Sequence, residues 1–209
     1  VEGEEINILS PQSFTFLFDM GNVILPFDHM IPCRKLAEFY NLDPDDIYKM
    51  IFTSGLEWKF EEGSINGMQF YKKCTEILNL QIDYNEFRNL WSDIFTENKE
   101  VSNIVLALKK KHELILLSNT NEWHMAHVRD KFDIINEFDK YILSYEVGYL
   151  KPHPKIYEIA RTVALHKDNI VYIDDIPEYI ETARKLGIRA IQFSDARNLH
   201  DYLKNNNYF

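Results

Sequence analysis

Cysteine is scarce in this chain. Cys33 and Cys74 are the only two among 209 residues, and they show no metal-ligand spacing. That usage argues against a disulfide framework and leads to the expectation of a reduced, cytoplasmic setting. Glycine and proline are also sparse, seven of each, and nowhere gather into a linker, repeat or low-complexity tract. No apolar run approaches the roughly 18 residues of a membrane span, so no membrane partner is expected. Basic residues are outnumbered, 23 Lys and Arg against 33 Asp and Glu, for a net charge of −10. A surface of that sign repels nucleic-acid phosphate. An acidic chain that handles a phosphate must therefore recruit a metal ion or focus a few basic groups at one point. What is plentiful is apolar: 45% hydrophobic and 27% charged residues make a globular composition. The acidic start VEGEE, without an initiator Met, reads as a processed end, and residues 1–10 are left out of the fold reading.

Five short apolar runs read as buried strands: FTFLF (14–18), ELILLS (113–118), YILS (141–144), IVYID (170–174) and IRAIQF (188–193). Their near-continuous apolarity predicts a parallel sheet covered on both faces. Helical patterns at 121–131, 153–165, 177–186 and 195–205 separate the later strands, which is the rhythm of a doubly wound α/β fold. In such sheets ligands bind beyond the carboxyl ends of the strands. Those ends carry Asp19, Ser118 and the pair Asp174–Asp175, with Lys151 in the loop after the third strand.

Ninety-nine residues separate Asp19 from Ser118, whereas one strand–helix–strand step takes roughly 30. The surplus, residues 26–95, shows only helical pattern, as in RKLAEFY (34–40), MQFYKKCTEIL (68–78) and NEFRNLWSDIF (85–95). A helical insertion directly after the first strand is placed to cap the strand ends. The expected division is a core of 1–25 and 96–209 and a cap of 26–95, hinged near 22–27 and 94–99.

FLFDMGNVI (16–24), LLSNTN (116–121), GYLKPHPKIYEIA (148–160) and VYIDDIPEYIETA (171–183) resemble, in order and spacing, the four motifs of the haloacid dehalogenase superfamily. The first motif is most similar to the D-x-G-N branch, which includes bacterial sugar 1-phosphate phosphatases. FEEGSINGMQFYKKC (60–74) is also similar to that branch, more loosely. The resemblance implies a Mg²⁺-dependent phosphatase acting on a small phosphorylated metabolite through an aspartyl-phosphate on Asp19. It implies Ser118 and Lys151 as further catalytic groups and Ser118, Asn119 and Lys151 as phosphate-binding groups. The implied metal ligands are Asp19, the backbone carbonyl of Gly21, and the Asp174–Asp175 pair. The protein is expected to work as a monomer or small homo-oligomer.

Physical chemistry agrees with that assignment. A carboxylate nucleophile and a phosphate dianion repel, by about 4 kcal/mol for two unit charges at 4 Å and an effective dielectric of 20. Asp174 with Asp19 suits a Mg²⁺, and Lys151 adds a fixed positive charge. Taken singly, each residue has a plainer reading: Asp19 a turn residue, Ser118 a strand end, Lys151 a solvated lysine, and Asp174–Asp175 a helix cap.

Gly21 departs from the family pattern, in which a second Asp commonly serves there as general acid and base. Asp28 and His29 are the nearby candidates for that duty. Two alternatives stay open: a haloacid dehalogenase, which resembles this chain in topology, and, because of Gly21, a binding module with weak catalysis. A receiver domain is disfavoured, since its acidic pair follows the first strand. Among other features, Glu178 reads as a group behind the metal ligands or as an acid compensating a helix dipole. His124 and His127 read as surface histidines, and KKKH (109–112) as a solvated helix end. Trp58, Phe60, Phe70 and Trp91 read as cap core or as substrate-facing aromatics.

Overall fold

The computed structural model describes residues 13–209. The core range read from residue 1 therefore includes twelve residues that lie outside the described ones. Five strands, β1 (Thr15–Phe18), β2 (Glu113–Ser118), β3 (Lys140–Leu143), β4 (Ile170–Asp174) and β5 (Arg189–Gln192), pair in the order β3-β2-β1-β4-β5. Every pairing is parallel. The central strands β1 and β4 are buried along their whole length, as continuous apolarity requires, whereas the edge strand β5 is partly exposed.

Alternate residues of β1 feed two different cores, because strand side chains point to opposite faces. Phe16 and Phe18 join Val105 and Leu108 of α6 (Lys99–Lys109), Val128 of α7 (Glu122–Lys131), and Leu199 and Leu203 of α11 (Ala196–Asn205). Leu17 faces Ile156 and Tyr157 of α9 (Pro154–Val163) and Ile180 of α10 (Pro177–Lys185). Among the described residues no helix is long and apolar enough to cross a membrane.

Between β1 and α6 the chain forms α1 (Met30–Tyr40), α2 (Pro44–Tyr48), a π-helical turn (Lys49–Thr53), α3 (Leu56–Glu61), α4 (Gly67–Ile77) and α5 (Tyr84–Ser92). These helices have their own core, built on Leu36, Phe60, Phe70, Phe87 and Trp91. Phe60 stacks on Phe70 with centroids 4.7 Å apart, and Phe87 on Trp91 at 5.4 Å. Asn66 and Gln69 form a reciprocal capping box that starts α4. Two short segments join the insert to the sheet and pair with each other. Asp28 N donates to Ile94 O at 3.2 Å, and Thr96 N to Pro26 O at 2.9 Å.

The insert also touches the helices that follow β2 and β3. Ser144 Oγ, in α8 (Ser144–Val147), donates to Glu61 O at 2.6 Å, and Gly67 N donates to Glu122 Oε1 at 2.7 Å. Gly63 makes the close approach possible: its φ is +77°, and a Cβ there would lie 2.2 Å from Tyr145 O. The C-terminal end of α3 is thereby laid against the carboxyl edge of the sheet.

Candidate active site

β1 lies between β2 and β4, and Phe18 is in register with Leu116 on one side and Ile173 on the other. Asp19 therefore leaves the sheet beside Asp174, and its N–H continues the ladder to Ile173 O at 2.9 Å. Lys151 arrives from the loop after α8. Its Nζ lies 2.7 Å from Asp19 Oδ1, 2.6 Å from Asp174 Oδ2 and 3.2 Å from Leu117 O. All three charged side chains are buried; Asp19 is 6% exposed and Asp174 fully enclosed.

Asn119 fixes the lysine's backbone. Its Oδ1 accepts from Lys151 N at 2.7 Å, and its Nδ2 donates to Lys151 O at 3.0 Å. Ser118, buried at the end of β2, directs its hydroxyl to the adjacent Asn119 O at 3.3 Å. Asp174 Oδ1 accepts from Ile176 N at 2.9 Å, and Oδ2 also accepts from the Tyr172 hydroxyl. Asn22, with a left-handed φ of 54° that asparagine tolerates well, sets its side chain where it favours the charged form of Asp175.

The charges are unbalanced. Oxygens of Asp19, Asp174 and Asp175 lie within 4.8 Å of one another, against one ammonium. Burial pushes the Asp19 carboxyl up to about 7, Lys151 pulls it down, and Asp174 raises it again. Asp175 is raised by burial and by Asp174. Lys151 resists the desolvation that would discharge it, because Asp19 and Asp174 hold the ammonium in place. A buried cluster with surplus negative charge is unfavourable unless a cation joins it. Carboxylate oxygens gathered in this way are the hard donors that Mg²⁺ takes.

Other candidates land elsewhere. Asp28 caps α1 through Met30 N and pairs with Arg34 at 2.5 Å; that pairing first, then the Met30 bond, holds its carboxyl below the usual range. His29 lies between the rings of Phe27 and Phe52, 4.8 and 4.5 Å away, and burial lowers its pKa to about 4. Glu178 is exposed. His124, read from sequence as a surface residue, is buried: it contacts Asn121 Nδ2 and Trp91 O, because the insert covers the second side of α7. His112 of KKKH is buried too, held by Tyr208 O at 2.7 Å and Phe14 N at 3.3 Å. Phe60, Phe70 and Trp91 are insert core, while Trp58 is 66% exposed at a cavity mouth.

Two residues escaped the sequence reading. Glu57 and Glu61 stand one turn apart on α3, and both carboxyls are pushed up by burial, Glu61 to about 7. Asn121 Nδ2 donates to Glu57 Oε1 at 3.2 Å. Both glutamates lie in GLEWKFEEG (55–63), whose local pattern carries no sign of their burial.

Gly21 is closely packed. A Cβ there would sit 2.7 Å from Phe27 Cε1. Gly21→Asp is therefore expected to lower stability by about 1–3 kcal/mol, the usual range for overpacking. Phe27→Leu in the same chain should recover most of it. Urea denaturation checks this, and an undiminished midpoint for Gly21→Asp would show that the Phe27 ring turns aside freely.

A parallel sheet with buried carboxylates and a lysine at its carboxyl edge, overlaid by a helical insert, defines an α/β enzyme of the strand-end type. The profile of haloacid dehalogenase-like hydrolases matches residues 29–193, and the chain belongs to that family. The match takes in Ser118, Lys151 and Asp174 and begins just after Asp19. Among curated relatives, a D-ribitol-5-phosphate phosphatase of Bacteroides thetaiotaomicron is 24% identical over 184 residues, 84% of this chain and 89% of that protein. A haloacid dehalogenase-family enzyme of the same organism, solved with magnesium and inorganic phosphate, superposes with a TM-score of 0.75 at 24% identity, covering 88% of this chain and 95% of the other. An L-2-haloacid dehalogenase of Xanthobacter autotrophicus superposes at 0.63 with 14% identity, covering 93% and 83%.

Proposed function

We propose that the chain is a Mg²⁺-dependent phosphatase that hydrolyses a small phosphomonoester, a sugar or sugar-alcohol phosphate, through an aspartyl-phosphate on Asp19. The observation that carries this reading is the buried Lys151 ammonium placed between Asp19 and Asp174. A fixed cation beside a strand-end carboxylate reduces the repulsion between that carboxylate and a phosphate dianion. The phosphatase named among the relatives, and the family structure solved with magnesium and phosphate, support it.

Asp19 Oδ attacks phosphorus, the bond to the leaving oxygen breaks, and water later cleaves the aspartyl-phosphate. Lys151 holds a phosphoryl oxygen while the Ser118 hydroxyl donates to another, and Asn119 keeps the lysine backbone in position. Asp19, Asp174, Asp175 and the Gly21 carbonyl would hold the Mg²⁺, which supplies positive charge to the phosphoryl oxygens. Residues 26–95 act as the cap that closes over the substrate and excludes water. The leaving group extends beneath α3 into a cavity of about 380 Å³ lined by Tyr48, Phe52, Thr53 and Trp58. Aromatic walls and hydrogen-bonding side chains of this kind suit a polyhydroxylated group better than a second phosphate.

The test is phosphate release from a panel of sugar, sugar-alcohol and aryl phosphates, with Mg²⁺ and with EDTA. Release with Mg²⁺ and none in EDTA is expected. Halide release from 2-chloropropionate in EDTA, without phosphatase activity, would assign a dehalogenase instead.

A further inference from the structure

We propose that Glu61, on the insert helix α3, is the group that protonates the leaving oxygen and then deprotonates the attacking water. The proposal rests on the phosphatase reading above and supplies the residue that reading lacks. An alkoxide leaves slowly unless a positioned acid gives it a proton as the bond to phosphorus breaks. The first motif offers none, since Gly21 has no side chain and Phe27 fills the space where one would begin.

Glu61 stands at the right junction. It lines a small cavity of about 30 Å³ together with Gly21, His29, Asn119 and His124. It also lines the larger cavity of about 380 Å³, which is walled by insert residues. Glu61 thus borders both the space beside Gly21 and Asn119 and the space assigned to the leaving group, and its carboxyl is near enough to feel the Lys151 charge. The Glu61 backbone is held there by the Ser144 hydroxyl of α8, so the residue is anchored to the core as well as to the insert.

The remaining titratable groups around the small cavity do not meet the need. His29 and His124 are kept neutral by burial, with pKa values near 4 and 3. His124 is further committed to Asn121 and Trp91. Asp28, the other neighbour of the first motif, is ion-paired with Arg34 and exposed. Glu61 differs from all of them. Burial raises its carboxyl to about 7, against the pull of Lys151, so both forms are populated near neutral pH. The charged and titratable groups around it are Glu57 on the same helix, Lys151 and Tyr179 from the sheet side, and His29 from the connection.

The step balances. Asp19 Oδ bonds to phosphorus, the phosphorus–leaving-oxygen bond breaks, and its electron pair takes the Glu61 proton, releasing an alcohol. The Glu61 carboxylate then removes a proton from water as that water attacks phosphorus. The bond to Asp19 Oδ breaks, and phosphate leaves with Asp19 and Glu61 both restored.

Glu61→Gln separates this role from binding or packing. The probes are aryl phosphates from 2,4-dinitrophenyl to phenyl phosphate, assayed with Mg²⁺. For 2,4-dinitrophenyl phosphate, whose phenolate needs no proton, kcat/KM should stay within about threefold of wild type. For phenyl phosphate it should fall by about 10²–10⁴, so that the plot against leaving-group pKa steepens. Because the variant also lacks the base, the dinitrophenyl ester should show a burst of one phenolate per enzyme, then slow turnover. Parallel plots for wild type and Glu61→Gln would overturn the role of Glu61 and leave the phosphatase intact. Wild-type failure on every ester would overturn the phosphatase reading, and this proposal with it.

Discussion

Asp19→Asn is expected to abolish phosphate release, by about four orders of magnitude or more, while leaving the protein folded. Removing a nucleophile has effects of that size in enzymes with a covalent intermediate. The substitution keeps the shape of the side chain, and its Oδ1 can still accept from Lys151, 2.7 Å away in the wild type. Folding should not suffer, because the cluster of buried Asp19 and Asp174 with half-buried Asp175 loses one of its surplus negative charges. The melting temperature should stay level or rise by a few degrees. Inorganic phosphate should bind at least as well as in wild type, since like-charge repulsion at that oxygen is gone. Beryllofluoride with Mg²⁺ should form a stable adduct with wild type, seen by fluorine NMR, and none with Asp19→Asn. Turnover retained by a folded variant would move the nucleophile elsewhere.

Sequence alone carried the sheet and its strand-end residues, because both depend on local pattern. Phe16, Leu17 and Phe18 are buried on alternate faces, so the run is apolar throughout and ends abruptly at the polar Asp19. Ser118 and Asp174 were legible through the same rule applied to later strands, and Lys151 through the loop that follows the third. The misread residues are those whose partners are distant in the chain. His124 lies on a helix covered on one side by the sheet core and on the other by the insert, and Trp123 next to it packs into the insert's core. A helix buried on two sides loses the single apolar stripe on which periodicity depends. Glu57 meets Asn121, 64 residues away, and Glu61 feels Lys151, 90 residues away. Neither environment leaves a trace in the residues around GLEWKFEEG.

Lys151→Met tests the electrostatics of the same cluster and should affect rate and stability together. Methionine keeps much of the lysine stem's volume in a buried slot but removes the ammonium that faces Asp19 and Asp174. The rate should fall by about 10²–10³, as when an enzyme loses one donor to a developing charge. Removing one partner of a buried ion pair leaves the others uncompensated and typically costs about 3–5 kcal/mol. Here the loss should depend on pH. Burial already raises the Asp19 carboxyl to about 7 with Lys151 opposing it, so without the lysine its folded-state pKa must rise further. A carboxyl whose pKa is higher folded than unfolded binds more protons in the native state, so stability falls as pH rises from about 4 through the folded pKa. Lys151→Met should therefore melt well below wild type at pH 8 and approach it near pH 5. Millimolar Mg²⁺ should recover part of the deficit at pH 8, since the ion restores positive charge among the same three carboxylates. A deficit that is the same at pH 5 and pH 8, and unmoved by Mg²⁺, would mean that Lys151 acts by packing and that the cluster is not a cation site.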